Sequence, residues 1–84
     1  MRITLKLYAG LTEYLPHEAR ESNRVVLDVA PQSSIAEVIA PLNLPLKMVH
    51  LVLINGIYVA PGERARRTLN DGDTLAIWPP IAGG

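Results

Sequence analysis

Polar and apolar residues alternate strictly at the start of the chain. Within residues 2–8, one isoleucine and two leucines fall on one side, and arginine, threonine and lysine fall on the other. A period of two predicts a β-strand with one buried face. Residues 24–29 repeat the pattern with two valines and a leucine on one side. They predict a second strand, and the charged residues 17–24 before it predict an exposed connection.

A change of period marks a helix in the middle of the chain. Ser34 and Glu37 have the spacing of a capping box, in which each side chain accepts a hydrogen bond from the other residue's backbone amide. The apolar residues that follow recur at i, i+3, i+4 and i+7: Ile35, Val38, Ile39 and Leu42. This stripe predicts an amphipathic helix over residues 34 to about 40.

Two turns divide the second half of the chain into strands. Asn55-Gly56 separates two apolar runs, 51–54 and 57–59, and this is the signature of a tight hairpin, because both turn residues accept a positive φ. Residues 69–73 form a second turn that leads into a last strand over residues 74–78. One helix with four or five strands predicts an α+β fold, in which the helix covers one face of the sheet.

Composition indicates one small globular domain. The chain has 84 residues, of which 49% are hydrophobic and 19% are charged. Eight basic residues balance eight acidic ones, so no overall field attracts nucleic acid or an anionic membrane, and we expect neither as a partner. The first 15 residues contain no uninterrupted apolar stretch. We therefore expect no signal peptide and no membrane span, and a cytoplasmic location.

The residues that usually carry catalysis or bind metals are scarce. The chain has no cysteine, and its two histidines, His17 and His50, lack metal-ligand spacing. Neither a nucleophile motif nor a phosphate-binding glycine loop is present. Asp71 and Asp73 flank a turn glycine, and we assign them to the turn. We expect no metal site and no cofactor bound by this chain.

Two other features have both a structural and a functional interpretation. Arg64, Arg66 and Arg67 form the one basic cluster; a solvated loop is the favoured interpretation, and a docking patch for an acidic partner is the alternative. Trp78 is either a core or edge aromatic, or an anchor at an interface.

The end of the chain supplies the strongest candidate for chemistry. Pro79 and Pro80 follow the last predicted strand, and because they lack N–H groups they end sheet pairing and favour an extended backbone. Six extended residues reach roughly 20 Å, and glycine fits through constrictions that exclude any side chain. The α-carboxylate of Gly84 is thus the candidate reactive group, and a partner has to activate it. We divide the chain into a domain, residues 1–78, and a tail, residues 79–84.

These patterns together resemble the ubiquitin-like β-grasp sulfur carriers of the MoaD/ThiS family, and most of all the small subunits of molybdopterin synthase. The resemblance is strongest over residues 69–84. There the family also shows a Leu-x-Asp-Gly-Asp turn, a hydrophobic strand, Pro-Pro, a β-branched residue, Ala or Ser, and Gly-Gly. Residues 53–56 resemble the family's hairpin, and residues 34–42 its capped helix.

The resemblance implies a β-grasp fold with a mixed sheet, and a definite chemistry. A ubiquitin-activating-type adenylyltransferase, using ATP and magnesium, forms an acyl-adenylate at Gly84, and a sulfur donor protein then displaces AMP to leave a thiocarboxylate. The tail inserts into the large subunit of molybdopterin synthase, where its sulfur is transferred to the pterin precursor. Gly83 provides clearance, and four residues set the direction and contacts of the tail: Pro79, Pro80, Ile81 and Ala82. Leu53 and Trp78 are candidates for the partner-docking face.

Several alternatives stay open. Trp78 stands where the family often has phenylalanine, which changes the size of the anchor and bears on the choice of partner. The same chemistry would serve thiamine thiazole or tungsten-cofactor synthesis. A ubiquitin-like modifier joined to target lysines through Gly84 is a second class of function, and a binding module with an incidental Gly-Gly end is a third. In the carrier interpretation the chain donates sulfur and has no catalytic residues of its own.

Overall fold

The first and last strands of the chain lie side by side in the centre of one sheet. The structure, a computed structural model, describes residues 1–81. In this part of the chain there are five strands and one α-helix: β1 (Arg2–Leu7), β2 (Arg24–Asp28), α1 (Ile35–Ile39), β3 (Leu51–Ile54), β4 (Ile57–Tyr58) and β5 (Thr74–Trp78). Short 3₁₀ turns fill the connections: Ala9–Tyr14, His17–Ala19, Ala40–Leu42, Leu46–Met48 and Pro61–Glu63.

The sheet is mixed, with the strand order β2-β1-β5-β3-β4. β1 and β5 run parallel, with Leu5 opposite Leu75, and all other neighbours are antiparallel. The α+β prediction of one helix and a four- to five-stranded sheet is confirmed, with five strands.

Helix α1 begins as the capping pattern predicts. The Ser34 hydroxyl accepts a hydrogen bond from the Glu37 amide at 3.1 Å, and the Glu37 carboxylate accepts one from the Ser34 amide at 2.9 Å. Two backbone amides that the first turn would leave unpaired are satisfied in this way. The helix is short because a 3₁₀ turn follows it directly, and Asn43 ends that turn with a φ of 57°.

One face of the sheet forms the core with α1. Strand residues on this face alternate with outward-facing ones, and the most buried are Ile3, Leu5, Leu7, Val52, Ile54, Leu75 and Ile77. They share one cluster with Ile35, Val38 and Ile39 of the helix. The other face carries no helix of the described chain, and we call it the open face; across its centre and tail end it presents Lys6, Leu51, Leu53, Tyr58, Ala76 and Trp78.

The two predicted turns are joined by hydrogen bonds. Asn55 (φ 50°) and Gly56 (φ 82°) form the tight hairpin between β3 and β4. The Asn55 amide group donates to Asp73 Oδ1 at 2.9 Å, and its oxygen accepts from the Thr74 amide at 2.9 Å. Asp73 Oδ2 accepts from the Asn70 amide at 2.8 Å. The assignment of Asp73 to the turn is therefore correct.

The connection between β1 and β2 is more ordered than the sequence predicts. Residues 17–24 were expected to be an exposed link, but His17–Ala19 form a 3₁₀ turn that buries Ala19. The turn is closed by a hydrogen bond from the Ala19 amide to the Pro16 carbonyl at 2.8 Å. Most residues of this segment are polar or charged, and Ala19 is the small apolar residue that packs into the core.

Candidate functional site

The tail leaves from the most central strand of the sheet. β5 lies between β1 and β3, and its last residue, Trp78, accepts a hydrogen bond from the His50 amide at 3.1 Å. Pro79 comes next and has no N–H to offer, so pairing stops there. The prediction that the two prolines end the sheet is confirmed.

The described part of the tail is buried at first and then exposed. Pro79 is buried, Pro80 is exposed, and Ile81 is 82% exposed. The remaining predicted tail residues, Ala82, Gly83 and Gly84, lie outside the described residues. Their roles, and those of the prolines in directing the tail, stay predictions.

A groove lies at the point where the tail leaves the domain, and we call it the root groove. It has a volume of about 310 Å³ and is lined by His50, Leu51, Trp78, Pro79, Pro80 and Ile81. The start of β3 thus faces the start of the tail. The lining is largely aliphatic, proline and indole, so the root groove is suited to an apolar side chain.

Trp78 stacks on an aromatic residue that the sequence analysis did not single out. The rings of Trp78 and Tyr8 are nearly parallel, with centroids 4.1 Å apart and an interplanar angle of 6°. Both side chains are half-buried, so they form a flat aromatic surface beside the root groove. The alternation in residues 2–8 places Tyr8 on the open face, and this pattern could have identified its position from the sequence.

Leu53 and Trp78, the two predicted docking residues, share the open face. Leu53 is opposite Ala76 on β5 and Tyr58 on β4, and Trp78 is opposite Leu51. Leu53 and Leu51 are half-buried. The structure brings the two predicted residues to one surface and adds Leu51 and Tyr58, which the alternation of the hairpin strands also indicates.

The basic cluster divides into two parts in the structure. Arg64 points inward: its two terminal nitrogens donate to the carbonyls of Val49 and His50, each at 2.8 Å. Its own carbonyl accepts from the Ala36 amide of α1 at 3.1 Å. Arg64 therefore ties the helix to the segment that leads into β3. The favoured loop interpretation fits Arg66 and Arg67, which are exposed, but not Arg64.

Other candidates for chemistry are not assembled into a site. His17 lies in the 3₁₀ turn His17–Ala19 and His50 lies just before β3, and both are exposed. Among residues 1–81 no group of three or more histidine, aspartate or glutamate side chains could hold a metal ion. In the same residues no helix has both the length and the apolar character needed to cross a bilayer.

Comparison with solved structures gives matches over nearly the whole chain. SAMP1, small archaeal modifier protein 1, from Haloferax volcanii is 23% identical with a TM-score of 0.68, and the match covers 100% of both chains. A complex of subunits 1 and 2 of molybdopterin-converting factor from Helicobacter pylori 26695 contains a chain that is 18% identical, with a TM-score of 0.62 and 100% coverage of both.

A third match is the thiamine biosynthesis protein ThiS from Geobacter metallireducens, 17% identical with a TM-score of 0.61, covering 96% of this chain and 99% of that one. At these identities the likeness establishes the fold. The β-grasp fold that the resemblance implied is confirmed. A search of curated proteins gave no match to this sequence.

The family model described as Mut7-C ubiquitin matches residues 1–82. This range covers every strand, the helix and the tail as far as Ala82, and it leaves out Gly83 and Gly84. The match spans nearly the whole chain, and its ubiquitin-like character agrees with the mixed sheet and the single helix. The chain belongs to the Mut7-C ubiquitin family and has the β-grasp fold.

Proposed function

We propose that this chain is a sulfur carrier that works through the α-carboxylate of Gly84. The observation that carries the proposal is the position of the tail. It continues directly from β5, the strand with a neighbour on each side in the centre of the sheet. Two prolines follow this strand and favour an extended backbone, and the two glycines at the end of the sequence have no side chain to hinder access to the carboxylate.

The chemistry proposed at Gly84 needs a partner at each step. A carboxylate is a poor electrophile, so an adenylyltransferase first joins it to AMP, using ATP and magnesium and releasing pyrophosphate. The outer sulfur of a persulfide on a sulfur donor protein then attacks the acyl carbon, and AMP leaves. A second thiol cleaves the S–S bond of this adduct, which releases the donor as a disulfide and leaves a thiocarboxylate on Gly84. The domain contributes no catalytic side chain in this scheme; it presents the terminus and docks.

We further propose that the sulfur is used in molybdopterin synthesis, with this chain as the small subunit beside a large synthase subunit. The pattern of residues 69–84 supports this choice, as does the likeness to one chain of the molybdopterin-converting factor complex. The open face with Leu53 and Trp78 would lie against the partner, and the tail would enter its active site. Thiamine thiazole synthesis and tungsten-cofactor synthesis would use the same carrier chemistry.

A second candidate function is protein modification. It is favoured by the full-length match to the small archaeal modifier protein of H. volcanii. Activation of Gly84 would be identical, and the acyl-adenylate would pass to a lysine of a target protein in place of sulfur.

Intact mass measurement separates these functions. The chain is incubated with a ubiquitin-activating-type adenylyltransferase, ATP, magnesium and a sulfur donor. Exchange of one oxygen for sulfur at the terminus supports the carrier, and a ladder of covalent adducts on target proteins supports the modifier. If neither product forms, and removal of Gly84 leaves function intact, the chain is a binding module.

The variant that removes Gly84 has a matched control. Gly62 lies in the loop after β4, has no positive φ, and a Cβ built there has no atom within 4 Å. Gly62→Ala should therefore fold and react like the parent chain, while removal of Gly84 should abolish the mass change. Co-purification of a pterin-binding large subunit or of a thiazole synthase would then identify the pathway.

A further inference from the structure

The loop that joins β4 to β5 forms a groove against the edge of the sheet. We call it the β4-edge groove. It has a volume of about 690 Å³, with residues 58–60 on one side and Glu63 and residues 66–68 on the other. It is separate from the root groove, since the two share no lining residue.

The groove carries an excess of positive charge. Arg66 and Arg67 both line it. Arg66 forms an exposed ion pair with Glu63, with Nη2 2.9 Å from Oε1. Arg67 has no carboxylate of residues 1–81 within ion-pair distance. Since a guanidinium has five N–H donors, both arginines keep donors for an external carboxylate.

Unpaired backbone groups face the same groove. β4 is the outermost strand of the sheet in the described chain. The Val59 amide donates to the Val52 carbonyl at 2.9 Å. In an antiparallel pair, adjacent residues of one strand turn their backbone groups in opposite directions. The N–H and C=O of Tyr58 therefore point outward, where an added extended segment can pair with them.

An aromatic residue connects the groove to the open face. The Tyr58 side chain is 55% exposed and lies opposite Leu53. A partner that covers the open face at Leu53 is thus already in contact with one wall of the groove. The Tyr58 ring, the edge backbone groups and the guanidinium donors thus lie on one continuous surface.

We propose that the β4-edge groove binds an extended acidic segment of a partner protein. The main chain of the segment runs along Tyr58, and its carboxylates pair with Arg66 and Arg67. Arg64 takes no part, because its terminal nitrogens are bonded to backbone carbonyls. Glu63 opposes the same ligand, since it occupies one donor of Arg66 and adds a negative charge. This interaction does not depend on sulfur transfer.

The test uses the full chain, labelled with ¹⁵N, and a synthetic peptide that alternates glutamate and valine. A second peptide with glutamine in place of glutamate is the reference. Amide shift changes are expected at residues 57–60 and 63–68 with the acidic peptide and not with the neutral one. The experiment needs neither ATP nor an activating enzyme, so its outcome is independent of the proposed function.

Three variants locate the charges responsible. Arg66→Gln/Arg67→Gln should weaken acidic-peptide binding about tenfold, because each exposed pair contributes a few-fold. Glu63→Gln should tighten binding about twofold by removing the competing carboxylate. The matched control, Arg24→Gln/Lys47→Gln, removes two other exposed cations and should leave affinity within about twofold if the contact is local.

Equal loss in the two double variants, equal binding of the neutral peptide, or shift changes centred elsewhere would each overturn the proposal. The urea midpoints of all variants are measured first. Because Glu63, Arg66 and Arg67 are exposed, we expect these midpoints to match that of the parent chain.

Discussion

The indole ring of Trp78 lies on the phenol ring of Tyr8, with the centroids 4.1 Å apart and the planes 6° from parallel. Tyr8 directly follows β1, and Trp78 is the last residue of β5. The stack therefore joins the ends of the two central parallel strands at the place where the tail leaves. The stack is a structural contact, and the same two rings also form the part of the open face next to the root groove.

We expect the two rings to be energetically coupled. A double-mutant cycle with Tyr8→Leu, Trp78→Leu and the double variant should give a coupling free energy of about 0.5–1.5 kcal/mol, the range for aromatic pairs. Urea unfolding, followed by circular dichroism, measures it. Tyr58→Leu with Trp78→Leu is the control cycle, and since Tyr58 is exposed and not stacked on Trp78, its coupling should be close to zero.

Arg64 should contribute to stability more than its neighbours in the loop. Arg64→Met removes two 2.8 Å hydrogen bonds to carbonyls and should lower the free energy of unfolding by about 2 kcal/mol. Arg67→Met removes an exposed side chain and should change it by less than about 0.5 kcal/mol. Equal midpoints in urea for the two variants would show that the two hydrogen bonds of Arg64 do not stabilise the fold.

The Asn55 side chain and its backbone conformation can be tested separately. Asn55→Gly keeps the positive φ but removes the bonds to Asp73 and Thr74, and should cost about 1–2 kcal/mol. Asn55→Ala should cost about 1 kcal/mol more, because alanine is strained at a φ of 50°. Thermal unfolding of both variants gives the two contributions.

Asn43 provides the control for this pair. It has a φ of 57°, and no side-chain hydrogen bond of Asn43 is found among residues 1–81. Asn43→Gly should therefore be close to neutral, and Asn43→Ala should cost about 1 kcal/mol. If Asn55→Gly were also neutral, the hydrogen bonds between the two turns would not contribute to stability.

Leu53 should matter for partner binding if the open face is the docking surface. Leu53→Asp places a charge at the centre of this face and should weaken binding to the proposed adenylyltransferase at least about thirtyfold, as expected for an interface hot spot. Val26→Asp adds the same charge to β2, where Val26 is 62% exposed, and should have little effect. Calorimetry on both variants, after a check of folding, gives the comparison; similar affinities would place the interface elsewhere.

The elements of this fold were predictable because each is encoded locally. The period of two in β1, the capping box at Ser34 and the Asn55-Gly56 turn specify their conformations with little help from the rest of the chain. The strand order was not predictable from these patterns. Nothing in residues 2–8 specifies a parallel pairing with residues 74–78, and only the resemblance to a known family implied the mixed sheet.

The site was predictable in part for the same reason. Trp78 was predicted from the sequence as either a core or edge aromatic or an interface anchor, and Leu53 came from the resemblance. Tyr8 was not predicted, although the alternation in residues 2–8 places it on the same face. Arg64 could not be separated from Arg66 and Arg67 by sequence. It forms hydrogen bonds to the carbonyls of Val49 and His50, which lie 15 and 14 residues earlier in the chain and come close to Arg64 only in the folded protein.

The pairing of β1 with β5 has a consequence for synthesis of the protein on the ribosome. β1 leaves the ribosome before β5, with residues 8–73 between them, so the core cannot close until β5 has also emerged. The tail and the strand that supports it therefore become available together, after the domain has folded. A partner that contacts both the open face and the tail would select molecules in which β5 is paired and ignore nascent chains in which β1 still lacks this neighbour.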